Sequence, residues 1–322
     1  MGILKTITAV IALIILGSIA MIFPTRLRKI GIITLGTILL AFLILWIIYF
    51  RPVKYERTYR VHISEWKDLS IRKYADSAGF HIGAIPSGTL ISNPAFSRNF
   101  NSVTPENALK MGPLLKNMQI GEYDFTYADK IVNEALANNM RVRGHTLVWG
   151  KQVAMFKNPD LRKWLNNFPE EERGIKLKEI TDNHIITVLT HFRGRIKTWD
   201  CVNEPTSLDK PGYLEDNIYS EYLGEDYIEE AFRLAYSTDS TLKLFLNEQI
   251  TDYNNKQAGC LFELVRKLKS NNVPIHGVGL QSHILTKTDT AIADMKKYIK
   301  KFTDMGLEVE ITELDMRLRI FN

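Results

Sequence analysis

Two glutamates stand where strands would end. Glu204 closes the run Trp199-Asp200-Cys201-Val202-Asn203-Glu204-Pro205, and Glu313 lies in Val309-Glu310-Ile311-Thr312-Glu313-Leu314-Asp315. Pro205 has no amide to offer a sheet and disfavours helical geometry before it, so the first run reads as a short extended segment stopped at Glu204. Taken alone, Glu204 is equally well a solvated strand end. A second carboxylate in a matching position changes that. Two carboxyls on facing strand ends, one protonated and one ionised, suit hydrolysis of a glycosidic bond. The first assists the leaving oxygen, and the second meets positive charge at the sugar carbon. One fold can supply both by giving the two groups different surroundings.

Other residues fit the same chemistry. His283, in Gly279-Leu280-Gln281-Ser282-His283, could hold Glu313 ionised through a hydrogen bond. Asn203, Lys110, Glu106 and His145 offer the fixed donors and acceptors that a sugar ring requires. Each has a plainer reading. His145 and His283 could be hydrogen-bonded core histidines, Trp149 a core aromatic, and Lys110 a solvated helix residue. Glu106-Asn107 could cap free amides at a helix start. The two histidines and two glutamates could also hold a metal, although no His-x-His or His-Glu-x-x-His spacing is present.

These groups need a scaffold that carries them on many strand ends. Short apolar runs at 81–85, 100–104, 142–149, 196–203, 243–247, 277–281 and 309–312 alternate with amphipathic stretches at 127–139, 176–192, 225–235, 256–269 and 291–305. Alternation of this kind predicts a parallel sheet. Nearly every run ends in polar chemistry. Glu106 and Asn107 follow the second, His145 and Trp149 lie on the third, and Asn203 and Glu204 end the fourth. Asn247 and Glu248 end the fifth, Gln281 and His283 the sixth, and Glu313 and Asp315 the seventh. Polar groups gathered at the C-terminal ends of many strands predict an α/β fold of the (β/α)8 TIM barrel type. An open doubly wound sheet is the alternative. The absence of a glycine-rich phosphate fingerprint after the first strand counts against a dinucleotide fold.

The chain has 322 residues, 45% of them hydrophobic, and a net charge of +5. Residues 1–60 hold eight Lys or Arg against one acid, so a charge of +7 lies there and the remainder is −2. Basic residues flanking apolar runs are a membrane signature and not a nucleic-acid footprint. Residues 1–50 are accordingly expected to hold the membrane segment, as two spans at 6–23 and 30–50, with Trp46 and Tyr49 as interfacial anchors. The first run could instead be an uncleaved signal-like segment, or translation could start at Met21 and leave one signal-anchor. Residues 51–67 read as a polar linker and 68–322 as the barrel. Cys201 and Cys260 define neither a metal spacing nor a disulfide framework.

From residue 68 onward the chain resembles the family-10 glycoside hydrolases, the endo-1,4-β-xylanases. The resemblance rests on Ser102-Val103-Thr104-Pro105-Glu106-Asn107, Arg143-Gly144-His145-Thr146-Leu147-Val148-Trp149 and the two glutamate runs. Leu223-Gly224-Glu225-Asp226-Tyr227-Ile228 and Gly279-Leu280-Gln281-Ser282-His283 add to it. It implies a (β/α)8 barrel that cuts β-1,4-xylan internally with retention of configuration. Glu204 takes the acid/base position and Glu313 the nucleophile position. His283 falls where the family orients its nucleophile, and Gln281 beside the acid/base. Asn203 matches the residue that contacts the 2-hydroxyl of the sugar being cleaved. Glu106, Asn107, Lys110, His145 and Trp149 match glycone-side sugar contacts. No cofactor and no metal are implied, and the expected partners are xylan or xylo-oligosaccharide and a membrane, with a monomeric barrel facing the extracellular or periplasmic side.

Three departures from the family pattern stand out. Gly150 follows Trp149 where the family commonly has histidine, and Glu248 follows Asn247 where it usually has aspartate. The chain also stops at Asn322, just past the seventh strand. The expectation is therefore a barrel lacking its eighth unit, and a fragment or interrupted frame. A non-catalytic, membrane-anchored carbohydrate-binding or remnant protein is the alternative function.

Overall fold

The computed structural model describes residues 70–86, 93–117, 119–151, 161–285 and 292–317. The apolar runs 6–23 and 30–50 and the linker 51–67 lie outside them. Among the described residues no helix is long and apolar enough to cross a membrane.

In chain order the elements are α1 (Ile71–Ser77), β1 (Gly83–Ala84), α2 (Pro94–Asn99), β2 (Ser102–Val103), α3 (Met111–Leu114), α4 (Thr126–Ala137), β3 (Arg141–Trp149), α5 (Leu161–Leu165) and α6 (Glu170–His191). There follow β4 (Thr198–Asn203), α7 (Ile218–Leu223), α8 (Tyr227–Thr238), β5 (Lys243–Glu248), α9 (Lys256–Ser270), β6 (Gly277–Leu280), β7 (His283–Leu285), α10 (Ile292–Thr303), β8 (Glu308–Ile311) and β9 (Asp315–Arg317). Seven strands form one sheet in the order β1-β2-β3-β4-β5-β6-β8, and every neighbouring pair is parallel. The short parallel pair β7–β9 continues β6 and β8 beyond a break at Gln281–Ser282 and at Thr312–Leu314.

The sheet curls into a half-barrel. Arg143 on β3 pairs with Glu310 on β8 at 2.8 Å, and Arg141 reaches the same carboxylate at 2.7 Å, so strands four places apart in the sheet face each other across its interior. Among the described residues no strand pairs with both β1 and β8, which form the two edges. The contrast in burial follows. All six residues of β4 are buried, whereas Glu308 and Ile311 of β8 are exposed.

The helices cover the sheet with one apolar face each. Helix α8 buries Tyr227, Ile228, Ala231, Phe232 and Ala235, and α9 buries Ala258, Leu261, Leu264, Val265 and Leu268, both at helical spacing. Burying a large apolar side chain of this kind contributes about 1.5–3 kcal/mol relative to exposing it. Helix α6 starts six residues earlier than its apolar periodicity suggests. Its first turn is Glu170, Glu171 and Glu172, which face the positive end of the helix dipole and not the core. Gly144 is required on β3 because a Cβ there would collide with the indole of buried Trp199.

Candidate active site

Backbone register assembles the site before any side chain acts. The amide of Glu204 donates to Asn247 O at 2.8 Å, that of Gln281 to Glu248 O at 2.9 Å, and that of Glu313 to Gln281 O at 3.2 Å. The C-terminal ends of β4, β5, β6 and β8 are thereby locked side by side. Glu204 departs from its expected extended geometry. β4 ends at Asn203, and Glu204 has φ 51°, in the left-handed region that costs a non-glycine residue about 1–2 kcal/mol. That turn carries its side chain off the strand and onto its polar neighbours.

Glu204 accepts three contacts. Gln281 Nε2 donates to its Oε1 at 3.0 Å and Trp149 Nε1 to its Oε2 at 3.2 Å. The Lys151 ammonium lies 3.2 Å from the same Oε2. Glu313 accepts Asn247 Nδ2 on Oε1 at 2.8 Å and has His283 Nε2 3.4 Å from Oε2. The other nitrogen of His283, Nδ1, is 2.7 Å from Asp315 Oδ2. The Asp315 carboxylate at Nδ1 fixes the ring so that its other nitrogen points toward Glu313.

A continuous hydrogen-bonded chain joins the two glutamates. Gln281 Nε2, bound to Glu204, also donates to Asn203 Oδ1 at 3.3 Å. That oxygen accepts Asn247 Nδ2 at 2.9 Å, and the same amide donates to Glu313. Thr312 Oγ1 donates to Asn247 Oδ1 at 2.7 Å and completes the set. Asn203, Asn247 and Gln281 are all buried, so the chain sits where hydrogen bonds are electrostatically strong. A side chain on Gly279 would collide with Asn247 Oδ1, so the glycine keeps this path open.

The remaining predicted residues line the β2–β3 side. Lys110 is buried and not the solvated residue of the plainer reading. Its Nζ donates to Asn107 Oδ1 at 3.0 Å and lies 4.5 Å from the centre of the Trp149 ring. Burial lowers the pKa of Lys110 against the pull of Glu313, Glu106 and Glu204. Glu106 itself is exposed. His145 is buried with Nδ1 2.9 Å from Asp200 Oδ2, and its ring centre is 6.5 Å from that of Trp149. Burial would raise the Asp200 carboxyl, but Arg143 and His145 outweigh it and hold the pKa low. The two histidines thus serve different aspartates on different strands. Among the described residues no three His, Cys, Asp or Glu side chains gather as metal ligands.

Lys151 escaped the sequence reading of the site, whereas Asn247 and Glu248 stood in it as a polar strand end with no role assigned. Glu248 is fully buried, accepting Thr206 N at 2.8 Å, Thr206 Oγ1 at 2.6 Å and Gln249 N at 2.8 Å. Burial raises its pKa to about 8 despite these three donors. It pins the Thr206 end of the turn that carries Glu204.

The sequence profile of Glycosyl hydrolase family 10 matches residues 70–320. The endo-1,4-beta-xylanase A of Thermoanaerobacterium saccharolyticum is 38% identical over 233 residues, covering 69% of this chain and 19% of that protein. The exoglucanase XynX of Acetivibrio thermocellus is 37% identical over 233 residues, 69% of this chain and 20% of that protein. The chain therefore spans about a fifth of the length of these curated relatives. Among solved structures, xylanase 10B from Thermotoga petrophila RKU-1 in complex with xylobiose superposes with a TM-score of 0.68 at 30% identity. The match covers 78% of this chain and 74% of that one. The quoted motifs, the parallel half-barrel and the strand-end glutamates agree with that match over most of the sequence: the chain belongs to glycosyl hydrolase family 10.

Proposed function

We propose that this chain carries the catalytic groups of an endo-1,4-β-xylanase that hydrolyses internal β-1,4-xylosidic bonds with retention, displayed outward from a membrane by its N-terminal segment. The observation that carries the reading is the hydrogen-bonded path from Glu204 through Gln281, Asn203 and Asn247 to Glu313. It gives the two carboxyls distinct surroundings on one strand-end platform, as glycoside hydrolysis by a carboxyl pair demands. The relatives named xylanases and the solved xylobiose complex support the substrate class. Outward display follows from the size of the substrate, since polymeric xylan does not cross a membrane.

In the first step a Glu313 oxygen bonds to the anomeric carbon as the bond from that carbon to the leaving oxygen breaks. The proton held by Glu204 passes to that oxygen. Asn247 and His283 keep Glu313 oriented. In the second step Glu204, now ionised, takes a proton from water. The water oxygen bonds to the anomeric carbon, and the ester to Glu313 breaks. On this reading Asn203 contacts the 2-hydroxyl of the sugar being cleaved, Gln281 supports Glu204, and Glu106, Asn107, Lys110, His145 and Trp149 contact the glycone.

The test is reducing-sugar release from xylan by the full chain, with proteolysis of intact cells reporting the side on which the barrel stands. Glu204→Gln is expected to lower turnover by about 10²–10⁴-fold, the usual contribution of general acid–base catalysis. Glu313→Gln is expected to abolish it. Undiminished activity in Glu204→Gln overturns the assignment. A second reading, a non-catalytic carbohydrate-binding protein, draws on the described sheet, in which β1 and β8 remain edges. It expects xylo-oligosaccharide binding with no turnover.

A further inference from the structure

Glu204 has a cation at its side that neither the strand pattern nor the family motifs announce. The Lys151 ammonium is 3.2 Å from Glu204 Oε2 and 3.9 Å from Glu215 Oε1. The Lys151 side chain is 37% exposed and that of Glu204 only 11%, so the contact lies at the mouth of the site, with its carboxylate end largely out of water. The local backbone explains how a lysine comes to be there. Asn217 caps the start of α7, its Oδ1 accepting the amides of Tyr219 and Ser220. A Cβ on residue 150 would lie 2.5 Å from Asn217 Cβ, so the residue after Trp149 has room for no side chain. The chain passes that point as glycine, and Lys151 is the first residue beyond it able to reach the acid.

We propose that Lys151 is a positioning residue for Glu204, clamping its carboxylate from the open side and setting the pH above which it stops serving as an acid. The proposal rests on the reading of Glu204 as the acid/base. All three partners of Glu204 donate: Gln281 and Trp149 as neutral groups and Lys151 as a charge. A cation beside a carboxyl favours the ionised form. That form is wanted in the second half of the reaction, when Glu204 takes a proton from water, and is unwanted in the first. Lys151 therefore trades the protonated fraction of Glu204 at higher pH for a larger ionised fraction in the second half of the reaction. Its own titration agrees in direction. Burial would lower its pKa, yet the Glu204 carboxylate beside it, with Glu215 and Glu248 behind, raises it, so the ammonium stays charged across the working range.

The charged groups around Glu204 are Lys151 at the mouth, Lys110 across Trp149, Glu215 beyond Lys151, Glu248 beneath on β5, and Glu313 at the far end of the hydrogen-bonded path. Substituting Lys151 leaves all but one in place. Two measurements on the full chain test the clamp. One is the pH profile of kcat/KM on xylo-oligosaccharide. The other is the carboxyl ¹³C titration of Glu204, assigned by its loss in Glu204→Gln, which needs no turnover. Lys151→Met is expected to move both the alkaline limb and the titration midpoint upward by about 0.5–1 pH unit, the effect of a nearby opposite charge reduced for solvent screening. Lys151→Gln, which keeps a donor without the charge, is expected to follow Lys151→Met, and Lys151→Arg to stay with wild type. Unchanged thermal melting separates these shifts from misfolding. A Glu204 titration in Lys151→Met that coincides with wild type overturns the clamp. A wild-type chain that releases no sugar overturns the functional reading, and the carboxyl titration still decides for or against Lys151.

Discussion

Asn247 is the side chain on which both glutamates converge. Its amide donates to Asn203 and to Glu313, and its carbonyl oxygen accepts from Thr312, so every polar atom has a partner. Truncation would leave Glu313 Oε1 without its donor and Thr312 Oγ1 without its acceptor, while Asn203 keeps Gln281. The loss is about 1–3 kcal/mol per orphaned group. If that loss falls on Glu313 in the transition state, Asn247→Ala should lower kcat roughly 10- to 100-fold with a smaller change in KM. Asn247→Asp should do worse, because it sets a like charge against Glu313. Steady-state kinetics on xylo-oligosaccharide check both, and an unchanged kcat in Asn247→Ala would remove the side chain from the mechanism. The sequence shows Asn247 as a polar residue ending a strand. Its partners come from the register Asn203↔Asn247↔Gly279, which a linear sequence does not carry. Glu204 and Glu313 were legible for the opposite reason: each sits inside a motif whose neighbours declare a strand end. Lys151 was not, since a lysine two places past a strand ordinarily points into solvent.

The central strands were legible because parallel strands buried on both faces are continuous apolar runs. Expected 196–203 and 243–247 correspond to Thr198–Asn203 and Lys243–Glu248. Expected 81–85 and 100–104 shrink to two residues each, Gly83–Ala84 and Ser102–Val103, near the edge of the described sheet where fewer ladder bonds form. What no pattern revealed is the ionic brace inside the half-barrel. Arg143 on β3 pairs with Asp200 on β4 and with Glu310 on β8, and it is fully buried along with Asp200. Removing one member of such a buried set strands a charge. Arg143→Met should therefore destabilise the fold by about 3–5 kcal/mol in urea denaturation. Arg143→Met combined with Asp200→Leu should recover part of that loss, because the remaining buried carboxylate goes with it. Additive losses would mean that the two side chains act independently.

At the scale of the whole molecule, two buried titrating groups set opposing pH limits on stability. His184 is fully buried on α6, and neither ring nitrogen has a hydrogen-bond partner among the described residues. Burial lowers its pKa from 6.5 to about 3. The unfolded chain thus takes up a proton below pH 6.5 that the fold refuses, and the stability present above 6.5 is lost as pH falls toward 3. Glu248 works the other way. Burial raises its pKa from 4.5 to about 8, so the fold keeps a proton that the unfolded chain has released. Its contribution is complete below pH 4.5 and is lost as pH rises through 8. Between about pH 4.5 and 6.5 the two slopes oppose and largely cancel, which predicts a plateau in thermal stability. Above 6.5 Glu248 acts alone, at about 1.4 kcal/mol per pH unit, or roughly 2 kcal/mol by pH 8. On the acid side His184 is joined by Asp200, Asp129 and Asp239, whose carboxyls are held low by their partners. Melting curves from pH 4 to 9 should show the plateau and both limbs. Glu248→Gln should flatten the alkaline limb and turn the plateau into a slope on which stability rises up to about pH 6.5. His184→Phe, which removes two unpartnered nitrogens stacked on Tyr123, should raise stability and weaken the acid limb to the share of the aspartates. It should also leave the Glu248 slope uncancelled, so that stability falls with pH from about 4.5. An alkaline limb as steep in Glu248→Gln as in wild type would mean that Glu248 is already ionised in the fold, held by Thr206 and Gln249, and that the loss of stability arises elsewhere.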